Sequence, residues 1–250
     1  MKSGKGAPTA VMEDLMGFFG VDVENENYLL AKMPAGADAS ASSPDMYLKR
    51  GSKDPVVVAN GMMTPQHASA SYDFKTIYYM NEYDQATSTG KLHVRKESLF
   101  GGVKDEIIAE GVSSFTATKD GKAIVYMTNV NAETGLGTLT AYVNGKTKLL
   151  GENIFASAYK LSQNGKTVTY VGDLNMETYI GNLYSISTTG GGTAQQIDTE
   201  TYALFYSRSD KNAIYLKNYN SETDTADLYL WKGKGTPEAV DTGISTVLFE

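Results

Sequence analysis

The sequence predicts an all-β fold: a β-propeller of about five four-stranded antiparallel blades, preceded by a short N-terminal helix. Two interleaved residue series carry this expectation. Tyr79, Tyr126, Tyr170 and Tyr215 lie 47, 44 and 45 residues apart, and Leu92, Leu139, Leu183 and Leu228 repeat the same three spacings. Around these markers, apolar runs of four to six residues rich in Tyr, Val, Ile and Thr alternate with Gly, Asn and Asp. Such runs are too short for helices and are bounded as strands are. Four of them every ~45 residues make a blade, whereas a β-solenoid needs a shorter period.

In chain order, Val11, Met12, Leu15, Met16, Phe18 and Phe19 fall at helical spacing, with Glu13 and Asp14 on the other side and Thr9 placed as an N-cap. Residues 1–20 therefore read as an extension with a short amphipathic helix, either a plug on the ring or a docking helix. Residues 21–250 read as the propeller, with repeats near 21–60, 67–110, 113–151, 156–198 and 202–242. The first repeat holds Tyr28-Leu29-Leu30 and Met46-Tyr47-Leu48 around a small polar loop. The third shows the plan most fully: Ser114 to Ala117, the turn Lys119-Asp120-Gly121-Lys122, Ile124 to Met127, Leu139 to Val143, the turn Asn144-Gly145, and Lys148 to Leu150. The fourth repeats it with the turns Asn164-Gly165 and Gly190-Gly191-Gly192, and the fifth with Asp210-Lys211-Asn212 and Leu228 to Trp231. Asp-Gly and Asn-Gly suit tight hairpins because they tolerate positive φ. The final strand, 245–250, either closes the ring by burying Val247 and Phe249 beside the first blade or, if Phe18 to Val23 is itself a first strand, opens a sixth blade.

A run ending in Ser/Thr-x-Asp/Asn-Gly-Lys, followed by an apolar strand with Tyr and a Leu-Tyr strand, resembles the repeats of TolB-like and related bacterial propellers. The resemblance spans 67–244 closely and 18–60 loosely. It implies blade architecture, an extracytoplasmic or cell-surface setting and a role in binding or scaffolding. It says little about chemistry, since such blades serve many functions.

Composition narrows the partners. With 22 basic and 29 acidic residues the formal charge is −7, which opposes the basic field that nucleic acid or an anionic lipid surface requires. No run of ~18 apolar residues offers a membrane span, and no apolar stretch of leader length follows Lys2 and Lys5. The chain has no cysteine and only two histidines, His67 and His93, so the usual zinc ligand sets cannot be assembled. A Ser-His-Asp triad lacks its Gly-x-Ser-x-Gly elbow. Ser157-Ala158-Tyr159-Lys160 matches Ser-x-x-Lys, but a strand sends the two side chains to opposite faces. Gly145-Lys146-Thr147 and Gly165-Lys166-Thr167 imitate the end of a phosphate loop without its first glycine or its helix. No cofactor or metal site follows from any of these.

One polar hexad recurs after the second strand of three repeats: Asn129 to Thr134, Asp173 to Thr178 and Asn218 to Thr223, with Asn81 to Asp84 as a degenerate fourth. Its candidate ligand-binding residues are Asn131, Glu133, Asp173, Asn175, Glu177, Asn220 and Glu222. Alternating oxygen side chains suit a hard cation, though a sharp-turn glycine and a distal bidentate carboxylate are missing. Asx-turn chemistry copied by duplication explains the same pattern. Together with Glu110, Glu152, Asp198, Glu200 and Asp241 in the links, these loops make one face acidic, while Lys122, Lys146, Lys166, Lys211, Lys232 and Lys234 occupy turns of the other. The expected function is a non-enzymatic propeller that binds or scaffolds a protein or a small cationic ligand. The alternative is a carboxylate-dependent hydrolase of the glycoside hydrolase type, with its carboxylates on the ring axis.

Overall fold

The computed structural model describes residues 11–34, 36, 43–62, 67–98, 100–205 and 212–245, and all its regular elements are β-strands. The first sheet holds β1 (Leu15–Asp22), β2 (Asn27–Lys32), β3 (Asp45–Arg50) and β4 (Val56–Ala59). The second holds β5 (Ala68–Ala70), β6 (Thr76–Asp84), β7 (Thr89–Glu97), β8 (Val103–Ala117), β9 (Ala123–Thr128), β10 (Leu136–Val143) and β11 (Lys146–Phe155). The third holds β12 (Tyr159–Leu161), β13 (Thr167–Asn175), β14 (Ile180–Ser187), β15 (Gln195–Phe205), β16 (Ala213–Asn220), β17 (Thr225–Trp231) and β18 (Glu238–Ile244). In every sheet each strand pairs antiparallel with its neighbours in sequence.

This corrects the expected fold class. Sheets of four, seven and seven strands stand in place of about five separate four-stranded blades, and no helix occurs among the described residues. The breaks expected near 111 and 200 are bridged by strand pairing. Val112 in β8 pairs with both Gly90 of β7 and Thr128 of β9, and Thr201 in β15 pairs with both Gly181 of β14 and Lys217 of β16. A left-handed residue precedes each, Gly111 at φ 65° and Glu200 at φ 55°, so the chain turns a corner without leaving the ladder. One long strand thus ends one four-strand meander and begins the next. Between β11 and β12 the chain leaves the ladder at residues 156–158, which separates the two large sheets.

The expected helix over Val11 to Phe19 is also overturned, because β1 is extended and pairs with β2 from Leu15↔Lys32 to Asp22↔Asn27. Gly17 and Gly20 disfavour a helix, and short apolar spacings of this kind fit either structure until a partner strand decides. Phe19 packs against the cluster of Leu29, Met46 and Phe74. Thr9, Asp210, Lys211, Val247 and Phe249, on which further expectations rested, lie outside the described residues.

The tyrosine series falls in β6, β9, β13 and β16. Three members stack on the residue directly opposite: Tyr79 on His93 at 4.8 Å, Tyr170 on Tyr184 at 5.4 Å and Tyr215 on Tyr229 at 5.8 Å between ring centroids. Such cross-strand pairs are the unit from which a sheet draws its stability. Leu92, Leu139 and Leu183 are wholly buried. Successive meanders pack face to face: Tyr78 and Val94 against Ile124 and Tyr142, then Val125 and Ala141 against Leu161, Val168 and Ile186.

Candidate functional site

The hexads lie at one end of the strands. In each, the asparagine accepts two backbone amides: Asn131 Oδ1 from Glu133 at 2.9 Å and Thr134 at 3.0 Å, Asn175 from Glu177 at 2.8 Å and Thr178 at 3.3 Å, Asn220 from Glu222 at 2.9 Å and Thr223 at 3.3 Å. These are Asx-turns. The first hexad position, Asn129, Asp173 or Asn218, is left-handed. In the hairpins of Asp173 and Asn218 it forms a register shift that breaks the ladder before the turn. Asp173 also accepts the Tyr184 hydroxyl and the Asn182 amide, and these bonds hold its carboxyl below the usual carboxylate range. Glu133, Glu177 and Glu222 are exposed, each on its own hairpin. Among the described residues no three His, Cys, Asp or Glu side chains gather at metal-holding distance.

The other acidic candidates separate. Glu110, Glu152, Glu200 and Asp241 are exposed, while Asp198 is turned inward against Lys217 and Tyr215. The two histidines sit apart, His67 tilted at 34° to the ring of Tyr83 and His93 stacked on Tyr79 with its Nδ1 3.4 Å from Asp105.

A larger concave surface opens at the opposite end of the strands. In β13 and β14 the pair Thr167↔Ser187 marks one end and Asn175↔Ile180 the other, and only the first lines the groove. The groove has a volume of ≈ 570 Å³ and lies between two meanders of the third sheet, β12–β14 with the start of β15 on one side and the end of β15 with β16–β18 on the other. Lys160, Lys166, Lys232 and Lys234 line it, as does Trp231, the sole tryptophan of the chain. Trp231 is only 7% exposed, and its indole N–H donates to Gly235 O at 3.2 Å.

Strand register explains why a groove exists here. Lys160 pairs with Thr169, Thr169 with Ser185 and Ser185 with Gln195, so four polar residues form one row across the sheet on the side that faces the next meander. By the 47, 44 and 45 residue spacings, Thr169 stands where the other meanders have Tyr78, Val125 and Ile214, and Ser185 where they have Val94, Ala141 and Leu230. Tyr78, Val94, Val125 and Ala141 are at most 1% exposed and close their interfaces. Lys160 replaces Ser69, Thr116 or Phe205 in the same row. Hydroxyl and ammonium groups resist burial against an apolar sheet, so this interface stays open where its counterparts seal. Burial pulls the Lys160 ammonium below the ordinary lysine value.

Sequence reasoning placed Lys166, Lys232 and Lys234 on the face opposite the hexads but missed Lys160, Thr169 and Ser185. The signal was present in the repeat columns. Val168-Thr169-Tyr170-Val171 departs from Ile124-Val125-Tyr126-Met127 by one polar residue in an otherwise apolar position.

No protein-family model matches the chain, and no curated protein matches it. Solved structures do. A eukaryotic initiation factor is 9% identical with a TM-score of 0.56, the match covering 92% of this chain and 56% of that one. Oligogalacturonate lyase in complex with manganese is 11% identical with a TM-score of 0.52, over 84% of this chain and 60% of that one. TolB from Acinetobacter baumannii is 16% identical with a TM-score of 0.42, over 87% of this chain and 52% of that one. The chain therefore spans little more than half the length of these structures. The neighbours are propeller-like proteins, alike in fold and not in any particular family.

Proposed function

We propose that this chain is a non-enzymatic binding protein whose ligand seat is the groove between the two meanders of the third sheet. The polar row Lys160, Thr169, Ser185 and Gln195 carries this reading, because it keeps open one interface of a kind that apolar residues seal elsewhere in the chain. The volume is that of a small-molecule site. No carboxylate is among the described lining residues, so the paired acids of a glycoside hydrolase have no seat there. One structural neighbour is a lyase, so a fold of this kind also carries an enzyme, and the fold alone does not choose between the two. An extracytoplasmic setting belongs to the same proposal and rests on the resemblance of the repeats.

The test pairs binding with turnover. Neutral and acidic oligosaccharides are added while Trp231 emission and the release of new reducing ends are followed together. A saturable emission change with an acidic oligosaccharide and without product is the expected result, and product formed in step with binding would transfer the chain to the enzyme reading.

Exposed Glu133, Glu177 and Glu222, repeated on the hexad face, favour a second surface for a basic protein segment or a small cation. Calorimetric titration with calcium and with a basic peptide, comparing the parent with the triple Glu→Gln variant, tests it. Heat in the parent that vanishes in the variant would support the surface, and its absence would leave the loops as turn chemistry alone.

A further inference from the structure

We infer that the groove takes an oligovalent oxyanion, a small molecule bearing two or more carboxylate or phosphate groups. The inference rests on the groove being the ligand seat and adds the chemistry of what it holds. Four lysines from three different segments converge on it: Lys160 on β12, Lys166 in the β12–β13 turn, and Lys232 and Lys234 after β17. In a chain of formal charge −7, a groove lined by four ammonium groups and, among its described residues, no carboxylate is a local reversal of sign. A cleft lined by charge of one sign focuses the field within it and concentrates counter-ions of the other.

The lysines are not equivalent. Lys232 bonds to Glu238 at 2.7 Å outside the groove. Lys160 is the innermost, set in the polar row beside Thr169, and burial has already weakened its hold on the proton. An anion beside it favours the charged form. Hydroxyls at Thr169 and Ser185 and the amide of Gln195 add neutral hydrogen-bonding groups along the same row. A single-point anion would leave most of this set unused, whereas a ligand with two or three separated anionic groups engages Lys160 at the floor and Lys166 or Lys234 at the rim together.

Trp231 makes the test specific to the site, because it is the only tryptophan in the chain and it lines the groove. Its emission is followed during titration with tripolyphosphate, with citrate and with the neutral trisaccharide maltotriose. The expected result is a saturable change with at least one oxyanion and none with maltotriose. Tripolyphosphate alone identifies a phosphate ligand, and citrate alone a carboxylate one. Lys160→Gln should raise the apparent Kd roughly tenfold, as loss of a charged hydrogen bond does. The rim variant Lys166→Gln/Lys234→Gln alters only exposed side chains and keeps the test valid should Lys160→Gln misfold. Saturation by maltotriose with neither oxyanion binding would overturn the assignment while leaving the groove as a seat. So would oxyanion binding of equal strength in the parent and in both folded variants, or no response to any titrant.

Discussion

Replacing Asp198 with alanine is expected to cost about 3–5 kcal/mol, the amount typical of breaking a buried ion pair from one side. Lys217 Nζ lies 2.7 Å from Asp198 Oδ1, the two side chains are 14% and 16% exposed, and the fully buried Tyr215 donates its hydroxyl to the other carboxylate oxygen. Alanine leaves the ammonium and the phenol without that acceptor. A drop in melting temperature on the order of 10 °C should follow for a chain of this length. Adding Lys217→Met should recover part of the loss, since removing both charges is far less costly than removing one.

The same group sets a pH dependence of known sign. Burial alone would raise the Asp198 carboxyl, but hydrogen bonds from Lys217, Tyr215 and the Thr199 amide, with the Lys217 charge, hold it below the usual range. A carboxyl depressed in the folded state contributes stability that is present above its unfolded value of about 4 and lost as pH falls through the folded value. Urea midpoints of the parent should therefore fall in acid more steeply than those of Asp198→Asn. Curves of equal slope would mean that the pair contributes no linkage.

Gly165→Val is expected to cost about 3 kcal/mol from strain and overpacking combined. Gly165 has φ +68°, and a Cβ there would meet Ala123 Cβ at 2.5 Å and Thr118 Cγ2 at 3.1 Å across the boundary between the two large sheets. Gly145→Val provides the contrast. Gly145 also has positive φ, but its Cβ would meet nothing within 4 Å, so only the backbone strain applies. Chemical denaturation of both variants should separate them by about 2 kcal/mol, and equal losses would show that the Gly165 turn does not pack against the neighbouring sheet.

These positions show where sequence reading succeeds and where it stops. The tyrosine and leucine series were legible because their periodicity reflects stacking and burial within one meander. Turn residues were legible too, yet Gly165 reads in sequence only as a residue that permits positive φ, and its second duty, close approach to Ala123, depends on a neighbour 42 positions away. The sheet count was not legible, because it depends on whether Val112 and Thr201 are paired on both sides, and a corner made by one left-handed residue looks in sequence like any break. The segment Leu15–Asp22 read as a helix over Val11 to Phe19 with a strand over Phe18 to Val23 as the alternative, since its apolar spacing suits both until β2 is placed beside it, and the strand is what forms. For the site, the hexads drew notice because they repeat, whereas Lys160, Thr169 and Ser185 matter because they depart from the repeat.

This polar departure opens a groove lined by four lysines beside Trp231. Collisional quenching of Trp231 by iodide and by caesium reads both the opening and its sign, in the parent and in a Lys160→Thr/Thr169→Val/Ser185→Ala variant that restores the residues of the preceding meander. With each quenching constant normalised to that of free N-acetyltryptophanamide, iodide is expected to act on the parent more strongly than caesium, and the variant should be shielded from both. Normalised quenching by caesium equal to or stronger than that by iodide, or a folded variant as accessible as the parent, would show that the polar row does not open a positive groove at Trp231.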